Sequence, residues 1–251
     1  MYEEKNHNMK KAFFILSFVL LMNACNKGNE YDLFKTTGEV ETRIRELSGF
    51  TQIQLEDNMD VYLKQGPNFK VELEAGKNLH ENIKSDVVGN ILVLKDNNTL
   101  GIFRSHLIKI KFFITLPYLK NIDHFGVGTI YFQNQFTQDT MRALAKSSGD
   151  LHMDVNCNYF STSAHGDGTF YLNGSAIKSY HYMNGINFLY MENFTVQNYR
   201  FIETLSIGHC HIKGQGDTLE ANVWTDGNIY FKGNFGKISY QRHGKGDIVK
   251  E

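Results

Sequence analysis

Four aspartates, two histidines and three cysteines are the residues of this chain whose type and placement bear on chemistry. Hydrolysis of a glycosidic bond needs two carboxyl groups about 5–10 Å apart. Asp150, Asp167, Asp226 and Asp247 each stand beside a glycine in a recurring turn. His209 and His211 flank Cys210 and, on a strand, point to one side, like two metal ligands in want of a third. Whether any of these groups can act together depends on the elements that carry them.

From residue 121 onward a pattern recurs: a small residue, any residue, a second turn residue, a polar residue, then an apolar strand. It reads Gly126-Val-Gly128-Thr-Ile130, Ser147-Ser-Gly149-Asp-Leu151, Gly166-Asp-Gly168-Thr-Phe170 and Gly185-Ile-Asn187-Phe-Leu189. It continues as Gly208-His-Cys210-His-Ile212, Thr225-Asp-Gly227-Asn-Ile229 and Gly244-Lys-Gly246-Asp-Ile248. The second turn positions, 128, 149, 168, 187, 210, 227 and 246, lie 21, 19, 19, 23, 17 and 19 apart. A near-constant period of this length is the signature of a solenoid in which each coil buries its inner face only by stacking. Two places after the marker come Ile130, Leu151, Phe170, Leu189, Ile212, Ile229 and Ile248, which alternation assigns to the inward column.

This phasing separates the chemical groups. Asp150 and Asp247 share a phase five coils apart, and Asp167 and Asp226 share one three coils apart, roughly 14 Å at the spacing of stacked strands. The same-phase neighbours of His211 are Phe188 and Asn228, poor metal ligands, and His165 and His243 are four coils apart. Cys157 and Cys210 fall in different phases, so no disulfide is expected. No catalytic set, metal site or cofactor is therefore predicted. The outward position three after the marker holds Tyr131, His152, Tyr171, Tyr190, Lys213, Tyr230 and Val249. Tyr131, Tyr171, Tyr190 and Tyr230 are the candidate ligand-facing residues, because an aromatic stripe on a β face combines apolar contact with hydroxyl hydrogen bonding. Cross-strand tyrosine pairs also stabilise a β face with no ligand at all.

Residues 39–120 show period-2 alternation, as in Ile108-Lys-Ile110-Lys-Phe112, with turn signals at Asp57-Asn58, Gln65-Gly66-Pro67, Ala75-Gly76 and Gly89-Asn90. A short helix is possible from Leu79 to Val87, and residues 96–106 read as a loop. The fold class expected is all-β: an N-terminal antiparallel β region over 39–120, then a single-stranded β-helix of about seven coils over 121–251. With 26 basic and 27 acidic residues and a formal charge of −1, no basic field exists to hold a phosphate backbone, so nucleic acid is not an expected partner.

At the N-terminus, Met9-Lys10-Lys11 precedes an apolar run over residues 12–22 that is too short to span a bilayer, then Asn23-Ala24-Cys25. This resembles the bacterial lipoprotein signal, with Met22 where leucine is usual. The resemblance implies that Cys25 is acylated and that residues 1–25 are a signal peptide, with translation starting at Met1 or Met9. Residues 26–38 then read as a flexible tether.

Leu47-Ser-Gly-Phe50, Asp60-Val-Tyr-Leu-Lys-Gln-Gly66, Leu116-Pro-Tyr-Leu119 and the seven turns resemble the head GIN domain family of auto-transporter adhesins, common in Bacteroidetes lipoproteins, over residues 40–251. The resemblance implies a β-helix-like fold and surface adhesion, and supplies no catalytic residues. Asn187 and Cys210 depart from its second glycine, which predicts irregular fourth and fifth coils. The function expected is thus binding or adhesion without catalysis, on an outer-membrane lipoprotein whose partners are the membrane, through its lipid, and a glycan or surface protein. The alternatives are a carbohydrate-active enzyme on a β-helix and a purely structural envelope protein.

Overall fold

The computed structural model describes residues 37–98 and 108–251. Cys25, the signal segment, nearly all of the tether and most of the loop expected over 96–106 lie outside the described residues. Three long strands carry the clearest repeat: β11 (Leu151–Gly166), β12 (Phe170–Gly185) and β13 (Leu189–Ser206). Each follows one coil almost entirely round and pairs in parallel with the next, as in Leu151↔Phe170 and Phe170↔Leu189. Below them lie β8 (Asn121–His124), β9 (Ile130–Phe132) and β10 (Phe136–Ala145). Above them each coil is split, into β14 (Cys210–Gln215) and β15 (Thr218–Val223), then β16 (Ile229–Asn234) and β17 (Lys237–Arg242), before β18 (Ile248–Lys250).

The N-terminal strands are woven into the same sheet. β2 (Gln52–Leu55) and β3 (Met59–Gln65) form a coil of their own. On one side it pairs in parallel with β6 (Ile91–Asp96) and β7 (Ile110–Leu116), on the other with β8 and β9. Antiparallel pairing is confined to this end. β4 (Lys70–Gly76) lies between β1 (Val40–Arg45) and β7, and β5 (Ile83–Val88) pairs with β6. The helix expected from Leu79 is instead a turn over 77–82 followed by β5. Ile83, Ser85 and Val87 alternate with exposed Lys84, Asp86 and Val88, and that alternation is satisfied only by a strand.

The inward column is Ile130, Leu151, Phe170, Leu189, Cys210 and Ile229, all buried. Here the fifth coil departs from expectation. Leu189 pairs with Cys210 and Cys210 with Ile229, so Cys210 is an inward core residue and not a turn residue. The true corner is Ser206-Ile207-Gly208, which replaces the spacings 23 and 17 with 21 and 19. Two register shifts, between Tyr171 and Asn173 and between Ala176 and Lys178, absorb the two extra residues of β13. A displacement of two preserves strand alternation, so both phasings place apolar residues inward. Irregularity is therefore present, but as bulges within β13 rather than as a strained cysteine corner.

The corner glycines answer to crowding between coils. A Cβ on Gly168 would lie 2.3 Å from the Gly149 carbonyl oxygen, whereas Gly166 is needed for its φ of +119°. Asn187 takes the place of the second glycine without a left-handed backbone, and its Nδ2 donates to the carbonyls of Asn184, at 2.8 Å, and Gly166, at 3.1 Å. Cys157 and Cys210 are free and buried, and burial pushes both thiols up to about 12.

Candidate functional site

The outward position following the inward column holds rings on eight successive rungs. Phe113, Tyr62, Tyr131, His152, Tyr171, Tyr190, His211 and Tyr230 form one continuous stack along the solenoid. Neighbouring centroids are 4.4 Å apart for His152 and Tyr171 and 5.2 Å apart for Tyr171 and Tyr190, with planes within 6° and 11° of parallel. Each ring is half-buried. The parallel register makes the ladder: equivalent residues on adjacent coils are held one strand spacing apart, the separation at which offset aromatic rings attract.

All four tyrosines expected to face a ligand, Tyr131, Tyr171, Tyr190 and Tyr230, lie in this stack. The rephasing of the fifth coil puts His211, not Lys213, between Tyr190 and Tyr230. The ladder also reaches Tyr62 and Phe113, which the repeat count from residue 121 does not include. Asp60-Val-Tyr62 carries the signal, because it repeats the polar–apolar–tyrosine order of Thr129-Ile-Tyr131, with which it pairs. Burial raises the Tyr62 and Tyr171 hydroxyls above the ordinary tyrosine range, and burial holds His152 below the ordinary histidine range. Since the rings cover one another's faces, the ladder presents edges, hydroxyls and imidazole nitrogens to the outside. The Tyr230 hydroxyl also accepts from Asn228 Nδ2 at 2.8 Å.

The chemical groups flanking the ladder have structural partners. Asp150 Oδ1 accepts the backbone N–H of Thr169 on the next coil at 2.8 Å, and Asp60 Oδ1 accepts that of Thr129 at 3.0 Å. His209 Nδ1 accepts from Asn228, and Asn228 Oδ1 from Asp247. The polar residue of the repeat therefore stitches one corner to the next. Asp247 receives Tyr240 Oη–H at 3.0 Å and Arg242 Nη1 at 3.1 Å. Asp167 and Asp226 are exposed corner tips. His165 bonds Ser163, and His243 stacks on Trp224.

One set of potential metal ligands occurs among the described residues, Glu192, His211 and Glu251, with ligating atoms within 4.8 Å of one another. The Lys232 ammonium lies 2.9 Å from Glu192 and 3.4 Å from Glu251, so a cation already serves both carboxylates. A search by phase does not pick out this group: Glu192 and Glu251 share a phase three coils apart, five places after Asn187 and Gly246, and His211 lies in another column.

A parallel β-solenoid with one aromatic ladder along its side defines a repeat protein that presents an elongated surface. The family model described as "Putative auto-transporter adhesin, head GIN domain" matches residues 49–234, and the chain belongs to that family. Among solved structures, a putative adhesin from Bacteroides fragilis superposes with a TM-score of 0.79 at 21% identity, covering 86% of this chain and 100% of that one. A putative adhesin from Parabacteroides distasonis gives 0.67 at 14% identity, with 86% and 99% covered. A protein of the same species described as a putative lipid binding protein gives 0.67 at 18% identity, with 86% and 100% covered. These likenesses establish the fold. No curated protein matches the chain.

Proposed function

We propose that this protein is a lipid-anchored adhesin of the bacterial cell envelope, held in the outer membrane through Cys25, that binds an extended glycan along its aromatic ladder without catalysis. The observation that carries this reading is the ladder itself, a row of ring edges and hydroxyls repeating about every 5 Å. An extended peptide advances about 3.3 Å per residue, and about twice that between side chains on one face, so neither repeat keeps step with the ladder. A hexose unit of an extended glycan is comparable in length to one rung. Family membership supports the adhesive role, and the basic and apolar run before Cys25 supports the anchor.

The test is an array of extended polysaccharides probed with the full chain in detergent micelles, as wild type and as the Tyr171→Phe/Tyr190→Phe variant. That variant keeps the stack and removes two central hydroxyls. Binding to at least one glycan, weakened about tenfold or more in the variant, is expected, since two lost hydrogen bonds carry about that much. Wild-type protein that binds no glycan, or a variant that binds as well as wild type, refutes the reading.

A further inference from the structure

A second surface lies about half a coil away from the ladder. Parallel register aligns Arg142, Ser161 and Tyr180 in one outward column on three successive coils, with Ser163 and Tyr182 in the column beside it. The two serines are the small members of their columns. Arg142 and Tyr180 are two strand spacings apart, roughly 9–10 Å along the sheet, and the space over Ser161 between them is left open. The result is a cleft of about 300 Å³, at the small end of ligand sites and suited to a single ring-sized group.

The chemistry of its walls is specific. Arg142 is exposed and, among the described residues, its guanidinium meets no carboxylate. The cleft's one acid, Glu203, stands on the far rim and accepts the Trp224 indole N–H at 3.2 Å. The Tyr180 ring is about one-third exposed and, unlike the ladder rings, meets its three ring neighbours, Tyr159, Tyr199 and Phe201, at a tilt, so part of it stays open to solvent. Ser163 Oγ is already oriented by His165 Nε2 at 3.0 Å. An unpaired guanidinium selects a planar anion, bidentately for a carboxylate. An open tyrosine face with hydroxyls beside it suits the C–H face and hydroxyl groups of a sugar.

We propose that this cleft is a binding site for a carboxylate-bearing saccharide, with Arg142 on the carboxylate, Tyr180 against the ring and Ser161 bonding a sugar hydroxyl. The site is independent of the ladder. Its test uses the full chain in detergent micelles and calorimetry with the methyl glycosides of glucuronic acid, galacturonic acid and N-acetylneuraminic acid, against methyl glucoside and methyl galactoside. At least one acidic glycoside should bind about tenfold or more tightly than its neutral counterpart, and Arg142→Gln should erase that preference. Ser161→Leu, which fills the cleft, should weaken binding of the same probe while leaving the unfolding midpoint near that of wild type. Tyr171→Phe/Tyr190→Phe should leave it unchanged. Failure of every acidic glycoside to bind, retention of the preference in Arg142→Gln, or its loss in the ladder variant would overturn the assignment, as would binding of a polyglutamate peptide in place of the sugars.

Discussion

The Asp150 carboxylate receives the backbone N–H of Thr169 from the coil above at 2.8 Å. This one contact accounts for the acidic residue of the repeated turn, which at the level of sequence resembles half of a catalytic pair. At a corner the strand ladder is interrupted and an amide would be left without a partner, and a short acceptor side chain one coil away replaces the missing carbonyl. Asp150→Ala should therefore lower stability by about 1–2 kcal/mol, while Asp150→Asn, which keeps an acceptor, should cost less than about 1 kcal/mol. Denaturant midpoints of the two variants decide it. Equal losses would mean that the charge, not the acceptor, matters.

The corner glycines separate crowding from backbone freedom. Gly168→Ala forces a Cβ to within 2.3 Å of a backbone carbonyl that cannot rotate away, and should cost about 3 kcal/mol. Gly49 has φ of +79° with nothing within 4 Å of its Cβ position, so Gly49→Ala should cost only about 1–2 kcal/mol. Thermal melting of both variants, ranked against wild type, checks the order.

Both cysteines of the solenoid should be inert while the protein is folded. Their thiols are buried and pushed up to about 12, so at pH 8 the thiolate population is very small. A maleimide should label neither in native buffer and both in denaturant. Fast native labelling of Cys210 would contradict its place in the inward column.

Acid should weaken the fold through His181. Burial, reinforced by the nearby Arg200 charge, pushes this imidazole down to about 3, and its Nδ1 bonds Thr162 Oγ1 at 2.8 Å. In the unfolded chain the group titrates near 6.5. Between those values the unfolded state binds the extra proton, so stability rises with pH and is lost progressively as pH falls from about 6.5 toward 3. His181→Gln should flatten that slope in urea titrations at pH 4, 5, 6 and 7. An unchanged slope would assign the acid sensitivity to other groups.

Much of this architecture is readable in the residues. The period near 19, the inward apolar column and five of the eight ladder rings follow from counting turns. What escapes counting has definite causes. The bulges in β13 shift the fifth coil by two residues, and because two is the period of a strand, no inward–outward pattern reveals it. Tyr62 and Phe113 belong to coils whose order in space is not their order in sequence. Arg200, fully buried and 3.3 Å from equally buried Asp217, takes an inward place that composition assigns to apolar residues. The cleft at Ser161 depends on which side chains are small relative to their neighbours on other coils, a comparison that requires the register.

The coil made by β2 and β3 is closed on one side by β6 and β7 and on the other by β8 and β9. At that end the chain cannot be lengthened or shortened by one repeat without breaking an interlock, whereas beyond β11 each coil rests only on its predecessor. Duplication of a coil is thus topologically free at the C-terminal end alone. Relatives of different length should share the interlocked base and differ in how many rungs they carry above it, with ladder length rising in step.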